Sequence, residues 1–280
     1  MRTLNGGEPL VETIKDFAQL DIPSRLVPIL EPNLQRADEI GALLGIALAK
    51  SLFDIAKLPG ELGLLHRDRL LGAEYQDRTI GSMGFAKGET LALMSPNIPE
   101  YAVIFHGVAM AGGVITTINP TYTEAEVHKQ LLDSHATILI TIPMFLEVAT
   151  KAAEGTEVTD VYVLGEAEGA KPITELFGAP LAEQVPVDPD DVVVLPYSSG
   201  TTGVNKGVML SHRNLVANVA QVLGPADIRE DELFIAVLPF FHIYGMQVLM
   251  NTGLRAGTTI VTMPRFDLEE FLRLHQDYGI

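Results

Sequence analysis

Between Val192 and Leu215 the chain reads VVVLPYSSGTTGVNKGVMLSHRNL, a stretch whose hydroxyls, glycines and single ammonium are spaced for holding an anion. Ser198, Ser199, Gly200, Thr201, Thr202 and Gly203 follow an apolar run of buried-strand type, and Lys206 comes shortly after. Glycines admit positive φ and close backbone approach, while hydroxyls, backbone N–H groups and a lysine donate to phosphate oxygens. The tail of a nucleoside triphosphate is the natural guest. Gly200 and Lys206 have the separation of a Walker A loop, but Asn205 stands where that loop needs glycine, and Gly207 where it needs Ser or Thr. Val208, Met209 and Leu210 read as a resumed strand, not as the helix such a loop opens. The cradle is therefore expected to join two strands. The competing reading is a solvent-exposed Ser/Thr/Gly turn.

A second constellation lies at Leu238–Gly245, LPFFHIYG, where one imidazole, His242, stands among aromatic side chains. Taken alone, such a histidine is more often a packing residue than a catalytic one. The remaining titratable groups have plainer readings. His128 and His135 sit on or just after one amphipathic helix, with no HExxH to pair them as metal ligands. Glu100 and Glu126 are helix-start residues. Asp188, Asp190 and Asp191 surround Pro189 and read as a solvated turn.

The elements that must position these residues alternate from Gly84 onward. Strands are expected at 90–95, 114–119, 136–141, 160–164, 192–195, 234–238 and 258–263, and helices between them. Thr123 and Glu126 form a capping box for EAEVHKQLLDSH, Ser211 caps RNLVANVAQVL, and Asp267 caps LEEFLRLHQDYG. Alternation of this kind predicts an α/β fold with mainly parallel strands covered by helices. Residues 1–83 read as an atypical N-terminal segment, with an amphipathic helix over 40–58.

The formal net charge of −17 argues against nucleic acid and anionic membrane as partners. Absence of cysteine excludes disulfides, thiolate catalysis and Cys-bound zinc, and fits a cytoplasmic location. The longest apolar run, Ile40 to Ala49, is too short to span a bilayer, so no transmembrane segment is expected.

The string Ser199 to Gly207 resembles the phosphate-binding loop of the adenylate-forming superfamily, which includes acyl-CoA synthetases, 4-coumarate–CoA ligases, luciferases and the adenylation domains of peptide synthetases. Its usual form is Ser-Gly-Thr-Thr-Gly-x-Pro-Lys-Gly; here Asn205 replaces the proline, freeing one φ angle and restoring an N–H, an exchange expected to loosen the loop. LPFFHIYG follows at the spacing of the Phe-His-x-Tyr loop of acid–CoA ligases, and GLRAGTTIVTMPRF is similar to the next family element. The resemblance covers about residues 84–280. It implies a partial AMP-binding domain in which a carboxylic acid is activated by ATP with Mg2+ and captured by CoA. Ser198, Ser199, Gly200, Thr201, Thr202, Gly203 and Lys206 would hold the β- and γ-phosphates. Lys206 and His242 would be catalytic, and His242 and Tyr244 would line the acid pocket. Arg265 is open between an ordinary surface arginine and a basic group near the phosphates of CoA.

Complete relatives carry, further downstream, an acidic Mg2+ ligand, a ribose-binding aspartate and a swivelling C-terminal domain with a catalytic lysine. The chain is accordingly expected to be a fragment, weakly active or inactive alone, that a C-terminal domain could complement. The alternatives are a non-catalytic nucleotide-binding remnant and a luciferase-like oxygenase. An amino-acid-activating domain would want an aspartate where Phe241 and His242 stand.

Overall fold

The computed structural model describes residues 63–66, 85–176, 185–199 and 205–280, with backbone alone at 63–66 and Ser199. The helix expected over 40–58 lies outside these residues. Eleven strands are described: β1 (Gly63–His66), β2 (Thr90–Met94), β3 (Val114–Ile118), β4 (Ala136–Thr141), β5 (Asp160–Val163), β6 (Lys171–Pro172), β7 (Val192–Ser199), β8 (Asn205–Gly207), β9 (Leu210–Ser211), β10 (Leu233–Ala236) and β11 (Thr259–Thr262). The helices are α1 (Pro99–Met110), α2 (Glu124–Ser134), α3 (Leu146–Ala153), α4 (His212–Leu223), a π-helix (Gly245–Thr252) running into α5 (Gly253–Ala256), and α6 (Leu268–Tyr278).

They build two sheets. The larger runs β6-β5-β4-β2-β3-β7-β8, with β9 also on β7; the smaller runs β1-β11-β10. Neighbours from β6 to β7 are parallel, as are β10 and β11, while β8, β9 and β1 add antiparallel edges. The expected fold class, mainly parallel sheets covered by helices, is the one found.

Side-chain alternation explains why β2 and β3 are buried throughout and mostly apolar. In β2, Leu91 and Leu93 enter a core with α1, whereas Ala92 and Met94 enter another with α2 and α3. Strands covered on both faces have no polar side. Helix α1 is buried nearly all round because the small sheet lies beyond it: Tyr101, Phe105, Phe240, Met246 and Ile260 share one core with Leu91 and Ile115. Helix α2 is anchored by the expected capping box, with Thr123 N donating to Glu126 Oε2 at 2.8 Å and Glu126 N to Thr123 Oγ1 at 3.4 Å.

Two local expectations are corrected and one is refined. After the cradle the ladder resumes at Asn205, while Val208 and Met209 are exposed between β8 and β9. GMQVLMNTGL is helical but wound as a π-helix, in which Thr252 Oγ1 donates to the carbonyl of Gln247 at 2.8 Å. Finally, β1 comes from the segment before residue 84 and pairs with β11, where no strand was expected.

Candidate active site

Strands β7 and β8 form the arms of a hairpin, pairing Tyr197 with Gly207, Ser198 with Lys206 and Ser199 with Asn205. Gly200, Thr201, Thr202 and Gly203 lie outside the described residues. Register assigns the faces of the arms. Thr117 on β3 aligns with Pro196 on parallel β7, so Pro196, Ser198 and its cross-strand partner Lys206 share the face of Thr117. Tyr197 and Asn205 take the opposite face, toward α2. Tyr197 Oη donates to Asp133 Oδ2 at 2.5 Å, and Asn205 Nδ2 to Tyr122 Oη at 3.3 Å. Asn205 thus gains a side-chain anchor where a proline would have none. Burial and the neighbouring Asp133 push the Tyr197 phenol well above its ordinary range, so it remains a donor. Gly207 leaves room for that ring, since a Cβ there would lie 3.1 Å from it. Ser198 and Lys206 are exposed.

The histidine loop is held from outside its own sheet. Asn97, in the turn between β2 and α1, is buried and spends its amide on the backbone leaving β10. Its Nδ2 donates to the carbonyls of Ala236 at 2.8 Å and Leu238 at 2.9 Å, and its Oδ1 accepts from Phe240 N at 2.7 Å. Thr117 Oγ1, at the carboxyl end of β3, donates to the Phe241 carbonyl at 2.9 Å. Gln130 of α2 steadies that strand end by donating to Thr116 Oγ1 at 2.9 Å and to the Thr117 carbonyl at 3.0 Å. Within the loop, His242 N donates to the Pro239 carbonyl at 3.1 Å and Met246 N to the His242 carbonyl at 3.0 Å. Tyr244 N donates to His242 Nδ1 at 3.3 Å. The His242 and Tyr244 side chains are exposed, so neither is a packing residue among the described ones.

Arg265 is exposed in the segment after β11. Because β10 and β11 are parallel, with Ala236 level with Thr262, Arg265 leaves from the same end of the small sheet as the histidine loop. Ser198, the His242 loop and Arg265 therefore lie at, or past, the carboxyl end of a parallel strand, and Lys206 is paired opposite Ser198. Ligands of open α/β sheets bind at this end. The structure brings Ser198 and Lys206 together and ties the His242 loop to their face through Thr117; it records no contact from Arg265 to either group.

Sequence reasoning missed Asn97, Thr117 and Gln130. For Asn97 and Thr117 the partner is backbone more than a hundred residues away, and for Gln130 it lies on a neighbouring element, so none leaves a local signature. The plainer readings of the other groups agree with the geometry. His128 Nδ1 bonds the Ala152 carbonyl and His135 pairs with Glu157. Asp190 and Asp191 pair separately with Arg213 and Lys87 at a turn. Among the described residues, no group of three or more His, Cys, Asp or Glu could hold a metal ion, and no helix is long and apolar enough to cross a membrane.

A sequence profile of the family described as AMP-binding enzyme matches residues 79–280. The 4-coumarate–CoA ligase 5 of Oryza sativa subsp. japonica is 39% identical over 211 residues, which are 72% of this chain and 38% of that protein. The 4-coumarate–CoA ligase 2 of Petroselinum crispum is 38% identical over 207 residues, again 72% and 38%. The chain thus spans well under half the length of these relatives. Among solved structures, ATP-bound MatB from Rhodopseudomonas palustris superposes with a TM-score of 0.63 at 27% identity, covering 70% of this chain and 40% of that one. A long-chain-fatty-acid-CoA ligase (FadD1) from Archaeoglobus fulgidus gives a TM-score of 0.65 at 25% identity, covering 88% and 42%.

Proposed function

The chain belongs to the AMP-binding enzyme family, and on that footing we propose that it takes part in activating an organic carboxylic acid with ATP, for transfer to the thiol of CoA. In the first step a carboxylate oxygen bonds to the α-phosphorus while the bond to the bridging oxygen of the β-phosphate breaks, and pyrophosphate leaves. In the second, the sulfur of CoA bonds to the acyl carbon, its proton passes to solvent, and AMP leaves. Two anions must meet in the first step, and negative charge grows on the leaving pyrophosphate. Fixed donors and cations are what such a step requires of a protein.

Lys206 is read as the cation beside the polyphosphate and Ser198 as a hydroxyl donor on the same face. The residues from Gly200 to Gly203 belong to the same cradle by their sequence pattern. His242 is read as the group facing the carboxylate, with Tyr244 beside the acyl or aryl portion, and Arg265 as a basic group for the phosphates of CoA. Mg2+ would accompany ATP as the counter-ion of its phosphates. Residues 84–280 are read as part of an AMP-binding domain, and a C-terminal domain as what would complete it. The names of the relatives favour an aryl or fatty acid as substrate.

The observation that carries this reading is the shared face. Ser198 and Lys206 are paired on the face of Thr117, and Thr117 is bonded to the loop that bears His242. The test is Lys206→Ala. ATP–pyrophosphate exchange with 4-coumarate should fall by about 100- to 1,000-fold, and calorimetric ATP affinity should weaken. Unchanged exchange and unchanged ATP affinity would remove the cradle from the mechanism.

A further inference from the structure

The loop bearing His242 belongs to the small sheet, yet the groups that fix it belong to the large one. Asn97 uses both amide hydrogens and its carbonyl oxygen on the backbone of three alternate residues, Ala236, Leu238 and Phe240, and Thr117 donates to the carbonyl immediately before His242. Asn97 and Thr117 are both buried, at 3% exposure each, so neither bond is exchanged for water. On the far side, Gly245 closes against the backbone of Leu238 and Pro239. The imidazole therefore leaves a turn fixed at its start, middle and end. Tyr244 N–H can only donate, so Nδ1 of His242 accepts, and the hydrogen of the neutral ring resides on Nε2.

We infer that Asn97 and Thr117 are positioning residues for His242, holding its loop across the carboxyl ends of β2 and β3 so that the ring presents Nε2–H as a hydrogen-bond donor to the acyl group. This rests on the reading of His242 as the group that faces the carboxylate. Its chemistry differs from that of a general base. A ring whose Nδ1 is occupied by a backbone N–H offers the substrate a donor, which suits a carboxylate or the carbonyl of an acyl-adenylate. The two sheets share one core, so the geometry between His242 and Lys206 is set by these cross-sheet bonds and not by the loop alone.

Two variants of the 280-residue chain test this. Asn97→Asp keeps the shape but cannot donate to the two carbonyls, and Thr117→Val removes only the hydroxyl. The first readout is the long-range proton–nitrogen spectrum of histidine-labelled protein, with the His242 signals assigned by their loss in His242→Gln. The second is calorimetric affinity for 4-coumaroyl-sulfamoyl adenosine, an unreactive mimic of an acyl-adenylate, beside that for ATP. The parent should show His242 as a single Nε2–H tautomer, and both variants should lose that signature. Mimic affinity should fall about 10- to 100-fold in Asn97→Asp and about fivefold in Thr117→Val, with ATP affinity nearly unchanged. A variant spectrum and mimic affinity equal to the parent's would overturn the inference. If the parent fails to bind the mimic, the proposed function fails, while the imidazole spectrum still decides the positioning. Should Asn97→Asp not fold, Thr117→Val decides it by the same two readouts.

Discussion

At Gly245 a methyl group would stand 2.1 Å from the Pro239 carbonyl oxygen and 2.6 Å from that of Leu238, both backbone atoms that cannot swing aside. Gly245→Ala should therefore cost about 1–3 kcal/mol, seen as a lower urea midpoint with an unchanged slope. His106 on α1 makes a different demand. It is buried, its Nε2 has no hydrogen-bond partner, and burial pushes its pKa down to about 3 from 6.5 despite the nearby Asn251 side chain. A folded pKa below the unfolded one means that the unfolded chain takes up a proton first as pH falls. Stability from this residue is complete above 6.5 and is lost on acidification toward 3. At pH 5 the loss should be about 2 kcal/mol. Urea titrations at pH 7.5 and pH 5 should show that excess pH dependence in the parent, and its removal in His106→Gln.

Helix α2 supports both halves of the site, since Gln130 braces the end of β3 and Asp133 holds Tyr197 of the hairpin. Its N-terminus depends on the reciprocal bonds between Thr123 and Glu126. Thr123→Ala should cost about 1 kcal/mol, and hydrogen exchange should quicken first in α2. The box was legible because its two residues lie three apart and answer to local geometry alone; Ser211 was legible as the cap of α4 in the same way, and the structure adds Asn214 as its reciprocal partner. The π-helix at Gly245–Thr252 was not legible. It depends on buried polar groups, with Asn251 Nδ2 donating to Gln247 Oε1 at 2.5 Å and Gln247 Nε2 to the Leu215 carbonyl of α4 at 3.0 Å. An apolar periodicity does not report those contacts.

One face of each sheet packs into a shared interior, while the outer faces have cores of their own. Leu91 and Ile115 of the large sheet, Tyr101 and Phe105 of α1, and Phe240, Met246 and Ile260 beyond them form one cluster. Unfolding of this region should be a single cooperative event, with tyrosine fluorescence and far-ultraviolet circular dichroism giving coincident transitions; separated transitions would count against a shared core. A ligand gripped at the joint carboxyl ends should stabilise the whole unit. On the proposed function, ATP at 100 times its Kd should add about 2.7 kcal/mol, measurable as a raised Tm that Lys206→Ala abolishes.

Most of the strand and helix order, the helix caps and the family follow from the sequence, because each rests on residues close together in the chain: apolar runs of strand length, polar residues three apart, and a string of hydroxyls and glycines ahead of a lysine. Only the tertiary structure decided that β1 joins β11 and that the strand after the cradle begins at Asn205. It alone gave Asn97 and Thr117 charge of the His242 loop. The reason is physical. A buried amide is stable only when its donors and acceptor are matched, and its partners here are backbone atoms at and just past the end of β10, of a kind common to nearly every residue type and therefore invisible in the sequence.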